Sequence, residues 1–281
     1  MKSYIPLQLL PIEKDGYHLH VNALVNNQLA RMVVDTGASH TVFDKARVLQ
    51  FLNQGAIQDS GLQAKGLGAD IESYILHLDT LRFHNTQLID YQAVLVDLSD
   101  LDQLFSSIFS GGIDGILGSD LLHLMKTVFN YKKQKIKLNS KKLPLQVLTL
   151  GPEAYHYMIT IQLSNKPANF IVDTGASKTV FNKQRFSQFH PYDPEDLYPN
   201  QQPSAGIQTD FNEFTSTSLS QFTLGTLQVY DFNVLLLDLQ NINYTYSLLN
   251  LPPIDGILGS DFLQQHKAII NFGHKTLRLT S

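Results

Sequence analysis

The chain repeats itself, and that repeat limits its fold more than any other feature. YHLHVNALVNNQLARMVVDTGASHTVFDK at Tyr17–Lys45 returns as YHYMITIQLSNKPANFIVDTGASKTVFNK at Tyr155–Lys183, each residue 138 positions further on. IDGILGSDLL from Ile113 returns as IDGILGSDFL from Ile254, now 141 positions on, so the second copy has gained a net three residues in its middle. A long period present only twice is not a solenoid. Two similar lobes related by an approximate two-fold axis are expected. Pro6-Leu7-Gln8 matches Pro144-Leu145-Gln146, so the first residues belong to the repeated unit. The boundary is expected near Lys141, giving an N-terminal lobe of residues 1–141 and a C-terminal lobe of 142–281.

Each unit reads as strands. Tyr17–Val25 and Tyr155–Leu163 partly alternate apolar with polar residues, which suits half-buried strands. Met32-Val33-Val34 and Phe170-Ile171-Val172 are short continuous apolar runs, which suit strands buried on both faces. Leu76–Phe83 and Leu88–Leu98 are further strands, with Ser218–Leu224 and Leu227–Leu239 as counterparts. One short helix is expected in each lobe after Gly-Ser-Asp, capped by Ser119 or Asp120 and by Ser260 or Asp261. Hydrophobic residues make up 43% of the 281, enough to fill such lobes.

The chemistry sits where each apolar strand runs into Asp-Thr-Gly-Ala-Ser. A carboxylate there is costly unless hydrogen-bonded or paired. Gly37 and Gly175 permit a tight turn and close approach of another backbone, and Thr36 and Thr174 add hydroxyls that can bond across to a neighbouring loop. Each lobe thus presents one carboxylate on a stiff turn, and two facing lobes supply a pair, Asp35 and Asp173. Two carboxylates ~3 Å apart cannot both ionise and share one proton. The ionised member can take a proton from water while the protonated one donates to a carbonyl oxygen.

Asp-Thr-Gly-Ala in each half, followed by Ile116-Leu117-Gly118 and Ile257-Leu258-Gly259, resembles the aspartic peptidases of the retropepsin and pepsin clan. The resemblance covers nearly the whole chain. It implies an all-β fold of two retropepsin-like (acid protease) barrel lobes, an intramolecular pseudo-dimer with a central cleft. It implies Asp35 and Asp173 as the dyad of an endopeptidase, with Thr36 and Thr174 holding the two turns and Gly37, Ala38, Gly175 and Ala176 shaping them. It also implies that the strand bearing Gly118 or Gly259 passes beside a catalytic turn. Pepsins carry Ser where Ala38 and Ala176 stand; losing that donor is expected to raise the dyad's pKa values and bring the working pH nearer neutral than pepsin's. Retroviral members place Arg after the distal Gly, where it supports the dimer; Ser119 and Ser260 stand there in this chain. A flap is expected at Ala64-Lys65-Gly66-Leu67-Gly68, with a longer counterpart near Ser204-Ala205-Gly206-Ile207, so the cleft should be asymmetric.

Asp114 and Asp255 are read as hairpin-turn residues, and Asp120 and Asp261 as helix caps. His18-x-His20 could put two imidazoles on one strand face, but His156-x-Met158 spoils the pattern, so no metal is expected. Tyr192, Tyr198, Tyr244 and Tyr246 stay open between cleft lining and loop decoration. No cofactor is implied, and the expected partner is an extended peptide or protein added as a strand. A net charge of −4 does not point to nucleic acid, and the lysines of Lys132–Lys142 read as a solvated strand face plus linker. No apolar run spans a membrane. The duplicated start argues against an export signal, and zero cysteines fit a reducing compartment, so a cytoplasmic monomer is expected, with no N-terminal trimming and with narrow or flap-gated specificity. The rivals are a peptide clamp of the same ancestry whose chemistry has lapsed, and a glycoside hydrolase, whose carboxylates would stand ~5–9 Å apart.

Overall fold

A computed structural model describes residues 8–12, 16–51, 57–65, 70–83, 86–108, 111–131, 143–144, 146–151, 154–189, 198–200, 204–206, 209–211 and 214–279. The proposed boundary at Lys141 lies outside these residues.

The first lobe is an eight-stranded sheet of β1 (Gln8–Ile12), β2 (Gly16–Val25), β3 (Gln28–Val34), β4 (Val42–Asp44), β5 (Ile57–Lys65), β6 (Asp70–Phe83), β7 (Thr86–Val96) and β8 (Gly115–Leu117). Its spatial order is β1-β2-β3-β8-β4-β7-β6-β5, and a further β2–β6 pairing curls it towards a barrel. β9 (Val128–Asn130) and β10 (Leu143–Pro144) follow. The second lobe uses β11 (Gln146–Gly151), β12 (Ala154–Leu163), β13 (Lys166–Val172), β14 (Val180–Asn182), β15 (Tyr198–Asn200), β16 (Ser204–Gly206), β17 (Thr209–Phe211), β18 (Phe214–Leu224), β19 (Leu227–Leu237) and β20 (Gly256–Leu258). Its eight-stranded sheet runs β11-β12-β13-β20-β14-β19-β18-β15, with β12–β18 closing it and β16–β17 as a separate hairpin.

The hairpins follow turn chemistry. Asn26-Asn27 joins β2 to β3, and Ser164-Asn165 joins β12 to β13, with all four residues at positive φ. Two such residues in succession match the right-handed twist of the flanking strands. β3 and β8 are parallel, while β4 and β8 are antiparallel, so β8 lies between two strands inside the sheet. The short apolar runs of β3, β8, β13 and β20 fit that position, with Val34, Leu117, Val172 and Leu258 almost fully buried.

The two lobes are one folded body. β21 (Ile269–Asn271) and β22 (Thr276–Arg278) join β9 and β10 in a four-stranded sheet ordered β10-β22-β21-β9. Below it, Phe272 meets Phe129 of the first lobe edge-on at 5.8 Å and Tyr157 of the second at 4.6 Å. The core is continuous across the lobes.

Three expectations need correction. One short helix per lobe is too few: besides α2 (Ser119–Leu124) and α5 (Ser260–Gln265), the structure has α1 (Ser99–Ile108), α3 (Lys183–Phe186) and α4 (Gln240–Leu248). α1 is amphipathic, with Leu101 and Phe105 packing on Val33 and Ile113. The caps are also different. Gly118 and Gly259 occupy the N-cap positions without a side-chain bond. Asp120 and Asp261 stand inside the first turn, where each accepts from the next helix N–H at 2.7 Å, and they also reach back to Thr41 and Thr179, accepting from backbone N–H at 2.9 Å and from the hydroxyls at 2.8 and 2.7 Å. Asp114 and Asp255 are more than turn residues. Asp114 accepts from Arg31 N at 2.8 Å and pairs with Arg47 at 3.4 Å. Asp255 accepts from Asn169 N at 2.7 Å and pairs with Arg185. Arg47 and Arg185 are themselves 138 apart, so the repeat carried this signal.

Asp255 is only 2% exposed, and removing it strands a buried donor and a cation. Asp255→Ala is expected to cost about 3–5 kcal/mol, read as a lower thermal midpoint. A change within a degree or two would show that the pair does not brace the lobe.

Candidate active site

Asp35 and Asp173 are each the first residue after a buried strand. The backbone N–H of Asp35 donates to Leu117 O at 3.1 Å, and that of Asp173 to Leu258 O at 3.0 Å, which extends the β3–β8 and β13–β20 ladders by one bond each. The chain then turns, and the two turns meet between the lobes. Thr36 Oγ1 donates to Val172 O at 2.7 Å and accepts from Thr174 N at 2.9 Å. Thr174 Oγ1 donates to Val34 O at 2.8 Å and accepts from Thr36 N at 3.1 Å. Both threonines are at most 1% exposed, so these four bonds form away from water.

This clamp brings the carboxyls together. Gly37 N lies 2.7 Å from Asp35 Oδ1 and 3.1 Å from Asp173 Oδ1, so a single N–H is shared by acids from both lobes. Ala38 N donates to Asp35 Oδ1 at 3.1 Å, and Gly175 N to Asp173 Oδ1 at 2.7 Å. As whole residues, Asp35 and Asp173 are half-buried. Burial holds the Asp35 carboxyl well above the usual carboxylate range, reinforced by the charge of Asp173 and a hydrogen bond with it. The Gly37 and Ala38 N–H groups oppose that shift without cancelling it.

The glycines are fixed by this crowding. A Cβ on Gly37 would stand 2.3 Å from Asp173 Oδ2, and one on Gly175 2.2 Å from Asp35 Cγ. Each glycine therefore packs on the acid of the opposite lobe. Gly37→Ala is expected to displace Asp173 by about 1 Å and lower kcat by roughly 10²-fold or more. Retention of full turnover would show that the acids tolerate wider spacing.

The distal motifs sit one layer behind. Ile116, Leu117, Ile257 and Leu258 are buried beside β3 and β13. Gly118 N donates to Thr41 Oγ1 at 3.0 Å and Gly259 N to Thr179 Oγ1 at 3.1 Å, which links the Asp120 and Asp261 carboxylates to the glycine strands. A Cβ on Gly118 would strike the His40 carbonyl carbon at 2.3 Å, and one on Gly259 the Lys178 carbonyl carbon at 2.5 Å. Ala38 and Ala176 pack on apolar residues next to Ile116 and Ile257.

Ser119 and Ser260, which follow the distal glycines, join the lobes directly. Ser119 Oγ donates to Tyr155 O, and Ser260 Oγ to Tyr17 O. Sequence reasoning missed this symmetric pair, although the residues recur at the repeat offset. It also missed His156, whose Nε2 is 2.8 Å from Gly37 O, and Tyr246, a buried hydroxyl on the His156 ring. Of the tyrosines left open, Tyr244 is exposed and Tyr246 is buried, Tyr198 lies on β15, and Tyr192 lies outside the described residues.

Gly66, Leu67 and Gly68, expected as the tip of the first flap, lie outside the described residues. The strands leading to it, β5 and β6, are paired up to Lys65 and Asp70. Ala205 and Gly206 lie on β16, with Gly206 opposite Thr209 in the β16–β17 hairpin, and α1 of the first lobe approaches β16. β4 and β14 still match at 138, while β6 and β18 match at 141, so the net gain of residues falls in this segment. Among the described residues, no helix is long and apolar enough to cross a membrane.

Comparison with known proteins agrees with this arrangement. A family model described as aspartyl protease matches twice, over residues 21–121 and 159–262. A comparison with curated proteins returned no match. A solved structure of EIAV protease complexed with the inhibitor HBY-793 aligns at 19% identity over 45% of this chain and 96% of that one, with a TM-score of 0.31.

Proposed function

The chain belongs to the aspartyl protease family, and on that premise we propose that it is an endopeptidase in which Asp35 and Asp173 act together on one water. The observation that carries the reading is the single Gly37 N–H within reach of both inner carboxyl oxygens. Acids this close hold one proton between them. The ionised member takes a proton from water as the water oxygen attacks the amide carbon. The protonated member donates to the carbonyl oxygen, giving a neutral tetrahedral diol. Proton return to the amide nitrogen then lets the C–N bond break, releasing an amine and a carboxylic acid.

The substrate is an extended peptide or protein segment, bound along the cleft by main-chain hydrogen bonds. One chain supplies both acids, so the active form is a monomer, and a cysteine-free chain fits the cytoplasm. The raised Asp35 carboxyl supports a working pH nearer neutral than pepsin's. The shared donor argues against the wider acid spacing of glycoside hydrolases.

The test is digestion of a peptide library in H₂¹⁸O with a chelator present. Internal cleavage with one ¹⁸O in each new carboxylate, lost on Asp173→Asn, is expected. Tight peptide binding without turnover would make the chain a clamp and overturn the proposal.

A further inference from the structure

The repeat places a histidine at the same position in each lobe, His18 on β2 and His156 on β12, and a ring from the following helix against each. That ring is Phe105 on α1 in the first lobe and Tyr246 on α4 in the second, 141 residues apart. The ring centroids are 5.0 Å apart in the first pair and 6.0 Å in the second. The framework is duplicated, but only one copy carries a hydroxyl.

The consequence is chemical. His156 Nε2 is 2.8 Å from Gly37 O, which can only accept. The imidazole must therefore carry its proton on Nε2, which leaves Nδ1 as an acceptor. Tyr246, 1% exposed, bonds to that Nδ1 and must be the donor. Burial lowers the His156 pKa, consistent with a neutral ring. The Gly37 carbonyl belongs to the same peptide unit as Ala38 N–H, which donates to Asp35 Oδ1 at 3.1 Å. Tyr246, His156, the Gly37–Ala38 peptide and Asp35 thus form one chain of donors running the same way, and such chains polarise each link. In the first lobe, His18 is 8% exposed and its Nδ1 has no hydrogen-bond partner among the described residues, the Phe105 ring carrying no hydroxyl to offer one.

We infer that His156, oriented by Tyr246, is a positioning residue that fixes the Asp35 turn from the opposite lobe and makes the two acids inequivalent. The inference rests on the proposed peptidase reading for its kinetic consequence, while the hydrogen-bond chain is testable without it. His156 touches no reacting atom. It acts by holding the peptide whose N–H orients the Asp35 carboxyl.

The experiment has two arms on the full chain. The first measures kcat and KM for a cleaved peptide, with thermal midpoints recorded alongside. His156→Leu is expected to lower kcat roughly 10²-fold with KM unchanged within about twofold, the size expected for a misplaced reacting group. His156→Gln, whose amide N–H can still reach Gly37 O, is expected to recover most of that loss. Tyr246→Phe is expected to cost about tenfold, since a bond to the ring is lost while the bond to Gly37 remains. Leu and Gln variants of equal stability and equal turnover, or a loss that falls only in KM, would overturn the inference. The second arm reads the ¹⁵N shifts of the His156 ring in the resting protein. Protonation at Nε2, loosened to a mixture of tautomers in Tyr246→Phe, is expected; protonation at Nδ1 overturns the inference with or without turnover. A wild-type chain that cleaves nothing sinks the peptidase reading and the kinetic role with it. Phe105→Tyr adds the hydroxyl His18 lacks and is expected to raise the thermal midpoint; a fall would show that the first-lobe site does not match the second.

Discussion

Asp35→Asn is expected to lower kcat/KM by roughly 10³-fold or more and, at the same time, to make the folded chain more tolerant of alkaline pH. The first effect follows from losing one of two groups that must exchange protons with water and substrate, each worth about 10²–10⁴-fold. The second follows from linkage. Asp35 in the folded chain holds its proton more tightly than in the unfolded chain, because ionisation there means an enclosed charge beside Asp173. A carboxyl whose folded pKa is raised contributes stability that is complete below its unfolded value of about 3.9. That contribution is lost as pH rises through the folded value. Asn does not titrate and carries no such loss. The thermal midpoint of Asp35→Asn minus that of the wild type should therefore grow from pH 4 to pH 8. A difference that is flat or shrinks over that range would mean the two acids do not repel, and the shared-proton mechanism would fall with it.

Thr174→Val is expected to be among the most destabilising single changes of equal volume in the molecule. The hydroxyl it removes accepts from Thr36 N at 3.1 Å and donates to Val34 O at 2.8 Å, both across the lobe boundary. Valine refills the space, so no cavity forms, but two buried backbone groups lose their partner. Each unsatisfied group costs about 1–3 kcal/mol, so a loss of about 2–6 kcal/mol is expected. That corresponds to a fall of roughly 5–20 °C in the thermal midpoint. Thr174→Ser keeps the hydroxyl and loses one methyl, worth about 0.8 kcal/mol of burial. Turnover should follow stability, with Ser near wild type and Val strongly impaired, because the clamp sets how the two turns face each other. A Val variant as stable and active as the wild type would assign the register of the lobes to the four-stranded sheet and the Ser119 and Ser260 bonds instead.

Much of this was legible in the residues. The repeat foretold two similar lobes, and both eight-stranded sheets take the same strand order because like patterns fold alike when each buries its own apolar face. Asp-Thr-Gly after an apolar run foretold a carboxylate at a strand end. The helices α1 and α4 were missed for different reasons. Leu101 and Phe105 give α1 a helical stripe that could have been read, whereas Gln240–Leu248 is polar and weakly patterned, and its helix is held by Tyr246 in the core. Arg47 and Arg185 could have been paired with Asp114 and Asp255 from the repeat alone.

The duplication and its strand pattern were settled along the chain itself, since hydrophobic periodicity and turn chemistry act over a few residues. The meeting of the two halves was settled only in three dimensions. That Gly37 N–H serves acids 138 residues apart, that Ser119 reaches Tyr155, and that a phenylalanine at 105 leaves His18 without the partner His156 enjoys are all matters of packing between distant segments. Hydrogen bonds and charge crowding depend on distances of about 3 Å, and linear spacing does not encode those.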